Sequence, residues 1–357
     1  MQLCLVGGFL GSGKTTAITT ASKILLKKKI PVAVIINDQG SQLVDTAFAN
    51  SLHIPTHEVR NGCFCCNYEQ FSSAIQHLND SVHPDIIFAE AVGSCADLVA
   101  TIVKPMRRFE PEIKMQLSVF ADGPVLLSSL EDRSSFITED VQYLYKKQLE
   151  EAGILIVNKS DTLTEAEMNK IKIILESEYP EKKLLFQDSR DETAVKKWLN
   201  VINENSSNKT IKSLDIDYKK YADGEAALAW LDASVNVHSK GKAITKSFEV
   251  INDMFDAITF KRIPIGHLKF FLQSGDWQQK ISYTANDRVD KKDRNNNVAA
   301  NHAIVLINAR VETDPDQLKK IFFQAIRKIE SQNCHIEILH LDSFQPGYPK
   351  PTYRLSG

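Results

Sequence analysis

A chain of 357 residues is long enough for two domains, each able to bury its own core. Its formal net charge of −2 gives no electrostatic reason to expect nucleic acid, and no apolar run approaches the ~18 residues that a membrane span needs. Three of the six cysteines fall together and no secretory signal precedes them, so thiol chemistry in a reducing cytoplasm is expected rather than disulfides.

The apolar run 3–6 predicts a buried strand almost at the first residue. It leads into Gly8-Phe9-Leu10-Gly11-Ser12-Gly13-Lys14-Thr15, a complete G-x-x-x-x-G-K-[ST] phosphate loop, and residues 16–28 read as a helix. Gly8, Gly11 and Gly13 let the backbone N–H groups around Ser12 curl inward on a phosphate. The helix, with Thr15 and Thr16 in its first turn, aims the positive end of its dipole at the same point. Lys14 can reach the β and γ phosphates, and the Thr15 hydroxyl can ligate Mg²⁺. A bound nucleoside triphosphate is expected.

A second strand over 32–36 ends in Asn37-Asp38-Gln39-Gly40, and residues 38–62 read as one long switch region, mobile and ordered by nucleotide. Gln39 reads as a solvated loop residue in preference to a group that orients an attacking water. Asn61-Gly62-Cys63-Phe64-Cys65-Cys66-Asn67 follows. Thiolates are soft ligands suited to Zn²⁺, Co²⁺ or Cu(I), and Cys63, Cys65 and Cys66 can offer three of them to one ion. A fourth position is then left for water, substrate or a partner's ligand. Buried reduced cysteines are the plainer alternative. Cys63 and Cys66 also form a C-x-x-C, but no thioredoxin-like pattern surrounds it. Cys4, Cys95 and Cys334 are isolated, and Cys4 and Cys334 read as core residues in strands.

A helix over 69–78 and a strand over 86–89 lead to Glu90, where a carboxylate can hold Mg²⁺ through water. Gly93 can offer its N–H to a γ phosphate. Helices over 98–106 and 139–152 flank a strand over 115–120, and a further strand over 154–157 ends in Asn158-Lys159-Ser160-Asp161. Guanine presents N1–H and N2–H₂ on one edge, two donors that the Asp161 carboxylate can accept together and that adenine lacks. The Lys159 stem can lie over the base, and Asn158 can tie its loop to the phosphate loop. GTP is favoured over ATP. A helix over 165–177 and a strand over 184–186 continue an alternation that predicts an α/β, mostly parallel sheet with ligand loops at the carboxyl ends of its strands.

The chain turns polar over 203–223, most clearly at 203–209, which reads as a linker. Beyond it, strands are expected over 227–237, 265–272, 280–284, 303–310 and 335–341, with helices over 245–258 and 316–330. Two strand–helix–strand units joined by a hairpin-like piece suggest a smaller α+β, ferredoxin-like domain with an extra strand. The expected division is therefore 1–202, a linker over 203–223, and 224–357. His267 reads as a structural histidine, 287–297 as a solvated hairpin loop, and the proline-rich 346–354 as a segment packed on its own domain.

The phosphate loop, Gly62-Cys63-Phe64-Cys65-Cys66 and Asn158-Lys159-Ser160-Asp161, in this order, resemble the CobW-type family of P-loop GTPases. Gly266-His267-Leu268-Lys269 is similar to a recurrent segment of that family's second domain. The resemblance implies a metallochaperone or insertase in which the GTP or GDP state governs delivery of an ion to a client metalloprotein or cofactor-assembly enzyme. Zinc is the first expectation for that ion, and cobalt for a corrinoid pathway the second. Ala91-Val92 stands where the family pattern has Ser-Thr, and Gln39 where it has Phe. No catalytic glutamine or arginine finger is recognisable, so slow intrinsic hydrolysis to GDP and phosphate, raised by metal or client, is expected. The nine histidines are scattered, which argues against the histidine-rich metal store of many relatives. A regulatory GTPase with structural cysteines is the alternative, and a small-molecule kinase a distant third.

Overall fold

The computed structural model describes residues 1–38, 40, 44–60, 62–131, 138–204, 212–284 and 298–355. They fall into two units, one of Met1–Gln39, Ala49–Gly224 and Tyr348–Gly357, the other of Gly40–Phe48 and Glu225–Gly347. Among the described residues no helix is long and apolar enough to cross a membrane.

The first part of the chain alternates β1 (Gln2–Gly8), α1 (Lys14–Lys27), β2 (Val32–Asn37), α2 (Val44–Ser51), β3 (Thr56–Val59), α3 (Tyr68–Val82) and β4 (Ile86–Glu90). It continues with α4 (Lys104–Phe109), β5 (Lys114–Asp122), α5 (Gly123–Leu130), α6 (Glu139–Glu151), β6 (Ile154–Asn158), α7 (Glu165–Glu178), β7 (Lys183–Gln187), α8 (Glu192–Glu204) and α9 (Tyr218–Ala226). The seven strands pair in parallel in the order β3-β2-β4-β1-β5-β6-β7. Strands β2, β4 and β6 are buried along their whole length, which the unbroken apolar runs require when helices cover both faces. Register sets Val6 opposite Glu90, Gly8 opposite Phe120, and Asp122, Asn158 and Gln187 in one row. The carboxyl ends of the strands thus bring the motif residues to one edge of the sheet.

Several elements lay outside the sequence expectation. Strand β3 is a four-residue edge strand with the polar sequence Thr-His-Glu-Val, too short to show alternation. Helix α5 opens with Gly123-Pro124, which reads as a turn, yet Pro suits a first helical turn and Asp122 caps it by accepting from the Val125 amide at 3.2 Å. Residues Val99–Val103 form a π-helical turn ahead of α4 rather than the start of a regular helix. The polar stretch 203–223, expected as linker, contains most of α9, whose Tyr221 is buried; residues 205–211 lie outside the described set.

The second unit holds β8 (Ala229–His238), α10 (Ala243–Phe260), β9 (Ile265–Ser274), β10 (Trp277–Tyr283), β11 (His302–Val311), α11 (Pro315–Ile329) and β12 (His335–Phe344). The sheet is antiparallel in the order β10-β9-β11-β8-β12, the split strand–helix–strand plan with β10 as an added edge strand. Both helices bury one stripe in the same core, with Phe248, Ile251, Leu318 and Phe322 among its members. His267 is buried in β9 opposite Arg310. The expected loop over 287–297 lies outside the described residues.

Residues Gly40–Phe48 belong to this second unit, so the stretch 38–62 is not one loop. Asp45 is the reason in part: its carboxylate accepts from Lys269 at 2.6 Å and from Lys280 at 2.7 Å. Burial alone would raise that carboxyl, but the two ammonium groups outweigh it and hold the acid well below its ordinary range. The Val44 amide donates to Asn308 Oδ1 at 2.8 Å, and Asn308 in turn donates to Asp232. A side chain at Gly40 would collide with the Asp232 carboxylate, which pairs with Arg310 at 2.7 Å in the interior. Gln39 lies outside the described residues.

Candidate functional site

The phosphate loop has the backbone that its glycines were expected to allow. Gly8, Gly11 and Gly13 take φ of 122°, 76° and 90°, a region that side-chain-bearing residues rarely adopt. A Cβ at Gly8 would lie 2.1 Å from the Phe120 carbonyl oxygen, and one at Gly13 would lie 2.1 Å from Asn158 Nδ2. Inside the loop the Lys14 ammonium donates to the carbonyls of Gly8 at 2.8 Å and Phe9 at 3.1 Å. The Ser12 hydroxyl is fully buried and has no hydrogen-bond partner among the described residues. Thr15 Oγ donates to Glu90 Oε1 at 2.9 Å, joining the start of α1 to the end of β4, while Thr16 faces outward. Gly93 lies against the loop as well, since a Cβ there would come within 2.6 Å of Leu10.

Asn158 joins the phosphate loop to the loop after β7. Its Nδ2 donates to the Ser12 carbonyl at 2.7 Å, and its Oδ1 accepts from the Ser189 amide at 3.0 Å and hydroxyl at 2.7 Å. Lys159 takes a left-handed φ of 57°, and its ammonium pairs with Asp122 at 2.7 Å. Asp161 sits at the surface and pairs through Oδ2 with Arg190 at 2.6 Å. Ser189 and Arg190 carry no recognisable sequence signal; only the β6–β7 register brings their loop beside Asn158.

The three clustered cysteines converge. Sγ of Cys63 lies 2.8 Å from that of Cys65 and 3.2 Å from that of Cys66, and all three sulfurs fall within 4.8 Å of one another. Cys63 and Cys65 are buried and Cys66 is half-buried. The turn closes through the Cys66 and Asn67 amides, both donating to the Cys63 carbonyl at 3.0 Å. Gly62 enters it at φ 144° beside the Asn67 side chain. Asn37, at the end of β2, latches this turn: Nδ2 donates to the carbonyls of Val59 and Gly62, and Oδ1 accepts from the Phe64 amide at 2.8 Å. Phe64 anchors it further by stacking at 4.2 Å on Phe71 of α3.

Hydrogen bonding to Cys63, then to Cys66 and Cys95, pushes the Cys65 thiol well up, and contact with Cys63 raises Cys66 to about 11. Sulfurs packed this closely resist ionising together unless a cation joins them. Cys95 is therefore not isolated, as its spacing suggested, but a partner of Cys65. Cys4 is a core thiol of β1, raised to about 12 by burial. Cys334 is buried too, in the turn before β12 rather than in a strand.

The loop after Glu90 is pinned from several sides. Gln148 donates to the carbonyls of Gly93 at 3.0 Å and Cys95 at 2.8 Å, and the Ala96 amide donates to Tyr221. Asp97, fully buried at a left-handed φ of 65°, accepts from the Tyr218 hydroxyl at 2.8 Å and from Arg354 Nε at 2.7 Å. Of residues 346–354, expected to pack on their own domain, 348–354 thus belong to the first unit instead.

The zinc chaperone YeiR of Escherichia coli (strain K12) is 31% identical to this chain over 166 residues, which cover 45% of this chain and 47% of that relative. The match thus spans about half the length of that curated relative. A solved structure of HypB from Helicobacter pylori in complex with nickel is similar at a TM-score of 0.42 and 16% identity, over 58% of this chain and 90% of that one. A GTPase from Pyrococcus abyssi in apo form is similar at a TM-score of 0.34 and 13% identity, over 58% of this chain and 98% of that one. Residues 2–186 match the CobW/HypB/UreG nucleotide-binding domain, and the chain belongs to that family.

Proposed function

We propose that this protein is a GTP-hydrolysing carrier that delivers zinc to a client metalloprotein or cofactor-assembly enzyme in the cytoplasm. One observation carries the reading: three cysteine sulfurs within 4.8 Å of one another share a unit with a complete phosphate loop. The similarity to a zinc chaperone favours zinc over cobalt as cargo.

In this reading the loop from Gly8 through Gly13, with Ser12, cradles the phosphates by backbone N–H groups. Lys14 exchanges its two loop carbonyls for β and γ phosphate oxygens, and Thr16 caps the α phosphate side. Thr15 and Glu90, whose oxygens lie 2.9 Å apart, fit a hard cation that prefers oxygen ligands. Thr15 and Glu90 would hold magnesium, which would supply charge neutralisation on the phosphates; the protein's own contribution is to keep those two oxygens in place. Asp161 accepts the two guanine donors while Lys159 covers the base. Cys63, Cys65 and Cys66 take the cargo ion as thiolates, and their protons leave as it enters.

The connection between the two halves is Asn37, which ends β2 beside β4 and Glu90 and grips the cysteine turn at Gly62 and Phe64. A shift at that strand end on loss of the γ phosphate reaches the sulfurs through two hydrogen bonds. Phosphate release from GTP, followed with and without equimolar zinc, tests the reading. Slow turnover, raised by zinc and abolished in Lys14→Ala, is expected. Turnover indifferent to zinc would instead support a regulatory GTPase whose cysteines are structural.

A further inference from the structure

Residues 348–355 run beside the thiolate cluster and spend their hydrogen bonds on it. The Lys350 amide donates to Cys66 Sγ at 3.2 Å. Thr352 donates its amide to the Cys65 carbonyl at 2.8 Å and its hydroxyl to the Cys66 carbonyl at 3.2 Å. Tyr353 meets Tyr68 edge-on at 5.0 Å and donates to Glu69 at the start of α3. Arg354 then closes on Asp97, and the Leu355 amide donates to the Ala100 carbonyl at 2.9 Å. Pro349 and Pro351 lack amide donors and favour an extended backbone, and the Lys350 and Thr352 amides go to the cysteine turn rather than to one another.

This placement has two consequences. Cys63 and Cys65 are buried, so Cys66 is the sulfur through which an incoming ligand must reach the cluster, and Lys350 lies on that sulfur. The far end of the same segment is held by Asp97, in the loop that follows Glu90. One short extended stretch therefore joins the sulfur turn to the loop beside the phosphate site.

We propose that residues 348–355 are a strap over the cargo site, latched by Arg354 on Asp97, and that a client receives the ion only when this latch opens. The proposal rests on reading Cys63, Cys65 and Cys66 as the cargo site. The latch can open from the surface side, where Arg354 is largely exposed and can exchange its partner for water, while enclosed Asp97 keeps the Tyr218 hydroxyl as a donor. Lys350 is a positioning residue: its amide, not its side chain, meets the sulfur.

The test uses the full chain as wild type, Arg354→Ala, Arg354→Lys and Lys350→Pro. Proline removes the amide donor at a position already flanked by prolines and leaves the latch intact. Two rates are measured: zinc transfer to a chelator in excess, and alkylation of Cys66 by a bulky maleimide in the reduced, metal-free protein. Arg354→Ala is expected to raise both by about tenfold, the scale of losing an outer-shell partner, with Arg354→Lys restoring most of the difference. Lys350→Pro is expected to raise zinc transfer severalfold, and it decides the matter if Arg354→Ala does not fold. Rates equal to wild type in a folded Arg354→Ala protein, or in Lys350→Pro, would overturn the strap. If the wild type binds no zinc, the carrier reading fails, while the alkylation rates still decide whether the segment guards Cys66.

Discussion

Arg190 holds Asp161 Oδ2 at 2.6 Å while gripping Asp188 with the same guanidinium. The carboxylate proposed to read guanine is thus held from the loop after β7 through one of its oxygens. Asp161→Asn places a donor against two donors and is expected to cut the preference for GTP over ATP by about 100-fold. Arg190→Ala removes two surface ion pairs, to Asp161 and Asp188, and a loss of a few fold in GTP affinity is expected. Calorimetric titration of each variant with both nucleotides checks the pair. Unchanged selectivity in Asp161→Asn would remove Asp161 from the base site.

Cys65→Ser is expected to weaken zinc binding by more than the ~10–100-fold that loss of an outer-shell partner costs, with GTP affinity unchanged. Asn37→Ala touches no sulfur but frees the Gly62 carbonyl and the Phe64 amide, so a loss within that range is expected. Competition with a chromogenic chelator measures both. Equal zinc affinity in wild type and Cys65→Ser would exclude ligation by this sulfur.

Glu151 gives the fold a specific pH dependence. Burial, and then the neighbouring Asp97, push its carboxyl up to about 8, although the Val99 and Leu98 amides pull the other way. The folded protein thus binds this proton more tightly than the unfolded chain does. The associated stability is full below the unfolded value near 4.5 and is lost as pH rises through about 8. Glu151→Gln is expected to match wild type at pH 5 and to exceed it at pH 8 by a few kcal/mol, on the order of 3. Thermal unfolding across that range measures the difference, and parallel curves for the two proteins would contradict it.

Asp45→Asn leaves Lys269 and Lys280 without their shared carboxylate and is expected to destabilise the second unit by roughly 3 kcal/mol at pH 7. Because the native Asp45 acid is held low, this contribution is present above the ordinary carboxylate range and fades as pH falls. The variant and wild type should therefore converge in acid. Urea unfolding at pH 7 and at about pH 2.5, below the ordinary carboxylate value, reads the narrowing of the gap.

The parts of the site that were legible in the sequence are contiguous. Eight residues make the phosphate loop and a cysteine turn needs four, so their chemistry is written side by side. The sheet was legible too, because fully buried strands leave unbroken apolar runs. What could not be read depends on partners far along the chain. Nothing near Asn37 marks it as the holder of Phe64, and Arg354 meets Asp97 across most of the sequence. Cys95 seemed isolated because its neighbour in space, Cys65, comes from a different strand end. Residues 40–48 read as a continuation of a switch loop because their anchors, Lys269, Lys280 and Asn308, lie on strands of the second sheet.

The central claim is that nucleotide state and thiolate metal binding are coupled. Anaerobic titration of the reduced protein with Zn²⁺ and Co²⁺ tests it most directly, run without nucleotide, with Mg·GDP, and with a non-hydrolysable Mg·GTP analogue. Metal affinity is expected to differ between the GDP and GTP-analogue states by about 5–150-fold, with thiolate-to-cobalt charge-transfer absorption reporting sulfur ligation. By linkage the metal must then shift nucleotide affinity by the same factor. One affinity shared by all three states would contradict a coupled carrier and leave the cysteine cluster a structural feature of the fold.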